Sequence, residues 1–191
     1  MKMKSFIGIG CIVLCMACPA AFAGEEAPAA EFFGGFSVMN FKDEDCAYNP
    51  KGSLAGWGLS FAANINSNFA VKADTSGQYS SVKTSGGDRI DGSGIKRHNI
   101  LGGVQYTQRY NNVNVFFEGL GGFTHVDEKI TSSHTHTYKG LAMAFGGGVD
   151  WKFSPNIALR IAQVDYMPAR WNGKFHHFVR YQMGVVIPLG K

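Results

Sequence analysis

The sequence predicts an all-β fold, an eight-stranded antiparallel up-and-down transmembrane β-barrel, and three observations point there. Apolar residues alternate with period two in eight stretches, and nowhere do they form a 3.6-residue stripe over more than two turns. In these stretches one row is bulky and apolar, while the opposite row is Gly, Ala, Ser, Asn, Gln and charge. The connections between them alternate short and long, so all the long ones emerge at one end. Apolar residues at 45% and charged ones at 17% exclude a disordered tail. A mean hydropathy of −0.07 excludes a bundle of membrane helices. It leaves room for a barrel, which hides its apolar half by alternation.

Residues 1–23 stand apart from the rest. Lys2 and Lys4 precede an apolar run from Phe6 to Ala17, and Ala21-Phe22-Ala23 gives a small-x-small cleavage pattern. This reads as a cleaved signal peptide, too short for a spanning helix of ~20 apolar residues. The mature domain is then 24–191. Cys11, Cys15 and Cys18 leave with the leader, so Cys46 is the only mature thiol and no internal disulfide forms. Cys46 follows Asp43-Glu44-Asp45, whose negative charge disfavours a reactive thiolate. Losing Lys2 and Lys4 leaves 16 basic against 14 acidic side chains, a charge of +2 without any Lys/Arg run. Nucleic acid is therefore not an expected partner.

The strands follow in order. In 31–41, Phe32, Phe36 and Val38 point outward. In 54–65, Trp57, Leu59, Phe61, Ala63 and Ile65 oppose Gly56, Gly58, Ser60, Ala62 and Asn64. In 69–79, Phe69, Val71, Ala73 and Tyr79 oppose Ala70, Lys72, Asp74, Ser76 and Gln78. In 98–109, Ile100, Val104 and Tyr106 oppose Asn99, Gly103, Gln105, Thr107 and Arg109. In 113–124, Val113, Val115, Phe117 and Phe123 oppose Asn114, Glu118, Gly122 and Thr124, with Phe116 and Leu120 blurring the contrast. The clearest stretch is 140–153, where Leu141, Met143, Phe145, Val149, Trp151 and Phe153 oppose Ala142, Ala144, Gly146, Gly148, Asp150 and Lys152. In 157–166 the phase slips between Ile161 and Val164, which predicts a β-bulge near Ala162. In 177–189, Tyr181, Met183, Val185, Ile187 and Leu189 oppose Arg180, Gln182, Gly184 and Val186.

The short connections are 66–68, 110–112 and 154–156, all rich in Asn, Ser or Pro. The long polar ones are 42–53, 80–97, 125–139 and 167–176, expected as four exposed loops. A soluble lipocalin-like barrel binding an apolar ligand would put the bulky row inside. Eight strands leave an interior barely wide enough for side chains, so the small and charged row suits the lumen and the bulky row suits lipid.

With these features the chain resembles the small outer-membrane β-barrel proteins of Gram-negative bacteria, the OmpA/OmpX-like superfamily. The resemblance spans 24–191. It rests on Phe33-Gly34-Gly35-Phe36-Ser37, on 142–150, on Arg160 with Gln163-Val164-Asp165-Tyr166, and on the closing stretch 182–189. In that stretch Gln182, Gly184, Ile187 and Leu189 look like the signal by which such barrels address their insertion machinery. The chain departs from the family habit by ending Leu189-Gly190-Lys191 instead of on an aromatic. The resemblance implies a bacterial outer-membrane location, outer-membrane lipid and the barrel-insertion machinery as partners, and a monomer.

Four sets of residues carry candidate chemistry. The charges on inward rows are Lys72, Asp74, Arg109, Glu118, Asp150, Lys152, Arg160, Asp165 and Arg180. They read as an internal salt-bridge network, because buried charges are tolerated only when paired; an ion path through a narrow pore is the alternative. His125, His134 and His136 have an i, i+2 element that a metal site would use, yet no Cys or rigid scaffold joins them, so neither metal nor cofactor is expected. His176-His177 reads as interfacial. A lipid-A-modifying enzyme would need a base beside its nucleophile, with His136 near Ser132 or Ser133, but no His-x-Ser spacing is present; no catalytic residue is expected. Aromatics form two membrane girdles: Phe69, Tyr110, Trp151 and Phe153 at the turn end, and Tyr79, Tyr166, Trp171 and Phe175 at the loop end. The function expected is therefore structural, or recognition of a surface ligand through the long loops.

Overall fold

The computed structural model describes residues 27–42, 51–80, 94–131, 134–171 and 173–190. Its strands are β1 (Ala30–Lys42), β2 (Lys51–Asn64), β3 (Phe69–Ser80), β4 (Gly94–Arg109), β5 (Val113–Thr131), β6 (His134–Ser154), β7 (Ile157–Trp171) and β8 (Lys174–Leu189). Each pairs antiparallel with its neighbour in sequence, and β1 pairs with β8 to close the barrel. Closure leaves no strand edge unpaired, which lipid demands.

The turns form for local reasons. The Asn66 side-chain oxygen accepts from the backbone N–H groups of Asn68 at 2.9 Å and Phe69 at 2.8 Å, reversing the chain within four residues. Tyr110 N–H bonds the Val113 carbonyl at 2.9 Å across the next turn.

Cross-strand partners trace the stagger of the barrel. From Ala30 the row passes Ala63, Val71, Val104, Gly119, Phe145, Tyr166 and Val179, and returns to β1 at Asn40, ten residues further on. Eight strands with that stagger tilt by about 40°. A row therefore climbs toward the loop end as strand number rises, and residues at one height step back a little over one position per strand.

The bulky rows face outward, as with Ile100 and Phe123, each 69% exposed, while Lys72 and Asp165 on the opposite rows are sealed inside. The register of β7 against β8 shifts between Arg160 and Gln163, so Ile161 and Ala162 both face outward, as the phase slip predicts. Phe116 and Leu120 belong to the inward row, which resolves the ambiguity of their stretch. Gly184 faces Gly35 across the β1–β8 seam, where an added Cβ would lie 2.5 Å from the Gly35 Cα; only glycine permits that approach.

Two expected loops are corrected. Residues 125–131 and 134–139 continue β5 and β6, and 167–171 with 174–176 continue β7 and β8, whose hairpin turns at Gly173 with φ 77°. Above the apolar band the outward row no longer meets lipid tails and need not be apolar, so the alternation stops although the hydrogen-bonded ladder continues. Of the other two, 51–53 and 94–97 are strand. Residues 1–26, Cys46 and Ser132–Ser133 lie outside the described residues.

Candidate functional site

The centre of the lumen is an ion-paired network built from five strands. Lys72 on β3 donates to Glu118 on β5 at 2.6 Å. Arg180 on β8 donates to Asp74 on β3 at 2.6 Å and to Asp165 on β7 at 2.9 Å. Gln163 donates to Glu118 at 3.0 Å and to Asp165 at 2.9 Å, and accepts from Arg160 at 2.7 Å. Arg160 forks onto both oxygens of Asp150 at 2.8 and 3.0 Å. Its guanidinium also lies over the Phe33 and Phe116 rings, at 4.4 and 4.2 Å. The glycine at 148 makes room for this packing, since a Cβ there would meet the Phe116 ring at 2.7 Å.

Two expected members sit elsewhere. Arg109 lies at the turn end, where it pairs with Glu31 at 2.7 Å and donates to the backbone carbonyl of Ser67. Lys152 is only half-buried and donates to the Tyr110 carbonyl at 3.0 Å, so it belongs to the turn-end mouth and not to the central network. Its strand is running out there, and the side chain reaches backbone before it reaches the lumen charges. Glu31, Arg109 and Lys152 line a cavity of about 500 Å³ at this mouth, with Ala158, Val186 and Pro188 on its apolar side.

Toward the loop end, Met39, Leu54, Leu101, Leu120, Ala144, Met167 and Phe178 form an apolar plug. Beside it Gln78, Ser37, Asn99, Arg97 and Thr124 form a polar ladder with bonds of 3.0–3.1 Å. Arg97 escaped the sequence reading because it falls in a stretch expected as loop, although its parity with Asn99 marks it as inward. The guanidinium lies 3.9 Å over Phe178 and 5.8 Å from Trp171. Glu31 was missed too, though it shares parity with Phe33. With these two included, the charged residues buried among those described are five cations (Lys72, Arg97, Arg109, Arg160, Arg180) and five anions (Glu31, Asp74, Glu118, Asp150, Asp165).

Phe69, Tyr110, Trp151 and Phe153 are exposed at the turn end, and Tyr79, Tyr166 and Phe175 at the loop end. Trp171 is corrected. It falls on the inward row of β7, stacks on His176 at 3.9 Å and packs against Phe178, because strand continues past the point where a loop was expected. In the closing strand Gln182 is buried inward, whereas Ile187 and Leu189 face outward.

The histidines do not converge. His125 faces outward with Nε2 3.2 Å from Asp127, while His136 lies on the opposite face of its strand and stacks on Tyr138. His177 contacts the Tyr166 hydroxyl at 2.5 Å. Among the described residues no three His, Cys, Asp or Glu side chains gather as a metal site.

A closed barrel with an apolar exterior and paired charges within is thus in place. Residues 9–168, most of the chain, match the family described as Outer membrane protein beta-barrel domain. The chain belongs to that family. It is an integral outer-membrane barrel. Among solved structures it is similar to Ail, the attachment invasion locus protein of Yersinia pestis, with a TM-score of 0.60 at 14% identity, covering 84% of this chain and 98% of that one. Neisserial surface protein A gives 0.57 at 15%, covering 86% and 100%. OprG from Pseudomonas aeruginosa gives 0.52 at 17%, covering 88% and 99%. These likenesses are of fold. No curated protein matches the chain.

Proposed function

We propose that this outer-membrane barrel is a non-conducting stem that presents its loop end for recognition of a surface ligand, after export by a signal peptide cleaved following Ala23. The observation that carries the reading is the β5–β6 hairpin. Its last large apolar residues on the outward row are Phe123 and Leu141, yet pairing continues upward through His125–Lys139 and Asp127–Thr137. A paired ribbon standing clear of the apolar band costs chain and ordering entropy that membrane anchoring does not require. The filled lumen holds that ribbon on a rigid base, and no reaction is assigned to the chain. Ail is the structural neighbour that has been solved with a heparin analogue, sucrose octasulfate. Gln182, Gly184, Ile187 and Leu189 serve in this reading as the address for the insertion machinery.

The test displays the full chain on a laboratory Gram-negative host and measures cell binding to immobilised heparin and to a panel of matrix proteins. A variant in which residues 127–137 are replaced by Asn-Gly should keep its boiling-dependent gel shift and lose the binding. Binding that survives the replacement, or no binding by the full chain, overturns the recognition reading. Steady single-channel conductance in planar bilayers would overturn the non-conducting stem.

A further inference from the structure

The cavity of about 500 Å³ at the turn-end mouth takes part in neither the central network nor the loop-end hairpin. Two of its wall residues, Arg109 on β4 and Asn114 on β5, are register partners, with side chains about 5 Å apart. Arg109 donates through Nη2 to Glu31 at 2.7 Å and to the Asn64 side-chain oxygen at 3.2 Å, and through Nη1 to the Ser67 carbonyl. Its Nε–H has no partner among the described residues, although the side chain is buried. The Asn114 side-chain oxygen is buried without a donor as well. The two neighbours leave each other unsatisfied. One patch of wall thus holds an unfilled donor beside an unfilled acceptor, and buried groups of that kind call for a partner.

The charged side chains of the wall are Arg109, Lys152 and Glu31, so the cavity carries one net positive charge. Its side toward β7 and β8 is different. Ala158 and Val186 are partners across those strands and pack with Phe33 as an apolar cluster. The Phe33 ring in turn lies 4.4 Å from the Arg160 guanidinium, so an apolar layer stands between the cavity and the central network. Pro188, opposite Glu31 across the β1–β8 seam, continues the apolar side toward the rim.

The geometry points to a pocket for the C-terminal residue of a peptide, one with an apolar side chain, on the periplasmic side that the short turns of such barrels face. The carboxylate meets the net positive wall and accepts from the Arg109 Nε–H. The amide N–H of the same residue, one carbon away, donates to the Asn114 side-chain oxygen. Its apolar side chain lies against Ala158 and Val186. A single residue therefore supplies an anionic acceptor, a donor and an apolar group at the spacing of two register partners. A small inorganic anion would fill the donor and leave both the acceptor and the apolar side unmet. The pocket works at the opposite end of the barrel from the proposed surface recognition and does not depend on it.

The experiment titrates the full-length refolded barrel, ¹⁵N-labelled in neutral micelles, with acetyl-Gly-Gly-Val, with its C-terminal amide and with sodium acetate. NMR follows the Arg109 Nε–H and the Asn114 side-chain amide. The free acid should shift both signals saturably and bind about tenfold or more tightly than the amide, which lacks the charge-assisted hydrogen bond. Asn114→Leu should weaken the acid by about tenfold and keep the heat-dependent gel shift. Ala158→Phe, which fills the apolar side, should weaken acid and amide together. Lys152→Gln should weaken the acid and leave the amide unchanged, whereas Lys96→Gln at the loop end should change neither. Absence of any shift at millimolar peptide, equal affinity for acid and amide, undiminished binding by Asn114→Leu, or displacement by an equal concentration of acetate would each overturn the assignment. Should Asn114→Leu fail to fold, the Lys152→Gln barrel decides: an unchanged ratio of acid to amide affinity overturns it.

Discussion

Arg180 on β8 meets Asp74 on β3 at 2.6 Å, although the two strands share no hydrogen-bonded ladder. The contact crosses the lumen, and Arg180 also holds Asp165 at 2.9 Å with Glu118 at 4.0 Å. One guanidinium therefore faces three carboxylates, all buried from bulk solvent. Arg180→Met would leave those carboxylates without their shared cation, and breaking a buried pair in this way costs ~3–5 kcal/mol. Urea unfolding of the barrel in lipid vesicles, followed by gel mobility, should show that loss. The double variant Arg180→Met, Asp74→Leu should recover part of it, because one stranded charge is gone. A single variant as stable as the parent would mean that the cross-lumen pairs contribute nothing.

Arg160 lies between the Phe33 and Phe116 rings while both its outer nitrogens and its Nε are taken up by Asp150 and Gln163. Phe116 is fully buried, and its ring fills the space that Gly148 leaves open. Phe116→Ala opens a cavity and removes a cation–π face, a loss of ~3–5 kcal/mol by core-truncation precedent. Phe116→Leu should cost less than half of that. Equal stability of the two variants in the same unfolding assay would show that the ring's charge preference is not involved.

Most of this molecule is written in period-two alternation, because lipid on one side and a narrow lumen on the other impose opposite demands on successive residues. Where both demands act, the strands, their facing and the β7 bulge at Ile161–Ala162 are legible. Where lipid stops, the pattern stops. On the outward rows the bulky residues give way to His125 and Asp127 on β5 and to Pro168 and Arg170 on β7, so the contrast that marks a strand is lost there; Trp171 was misplaced for that reason, and Arg97 was missed in a stretch of the same kind. Phe116 was ambiguous on a different ground. An inward aromatic looks like a lipid-facing one until its partner, Arg160 on a strand two removed, is known. Parity alone likewise does not separate a side chain in the central network from one at its mouth, as Arg109 and Lys152 show.

Asp127 stands above the apolar band, where Thr137 donates to it at 2.7 Å and His125 lies 3.2 Å away. The Thr137 hydrogen bond, aided by the His125 charge, holds its carboxyl below the usual carboxylate range. A carboxyl whose folded value is depressed stabilises the hairpin above its unfolded value, and that contribution is lost as pH falls through the folded one. The carboxyl is partly exposed to solvent, so the consequence is local and not global. Carboxyl-detected NMR of the barrel in micelles should find Asp127 titrating below a model carboxylate, and Thr137→Val should move it upward. An unchanged midpoint in that variant would remove the hydroxyl as the cause.

Trp57, Trp151 and Trp171 are the three tryptophans of the chain, and only the first two face lipid. Trp57 and Trp151 are 38% and 44% exposed on outward rows, whereas Trp171 is enclosed by His176, Phe178 and Arg97 at the loop-end mouth of the lumen. Bromine on an acyl chain quenches only an indole that it can approach. In vesicles of brominated lipid, barrels retaining a single tryptophan, with Phe at the other two positions, should therefore separate into two classes. The Trp57 and Trp151 proteins should lose most of their emission, and the Trp171 protein should keep most of its own. Aqueous iodide should reverse the order between Trp171 and Trp57, because the loop-end mouth opens to water and the middle of the wall does not. Strong quenching of Trp171 by the brominated chains would return it to the girdle, and β7 would then have to lose its inward parity beyond Met167.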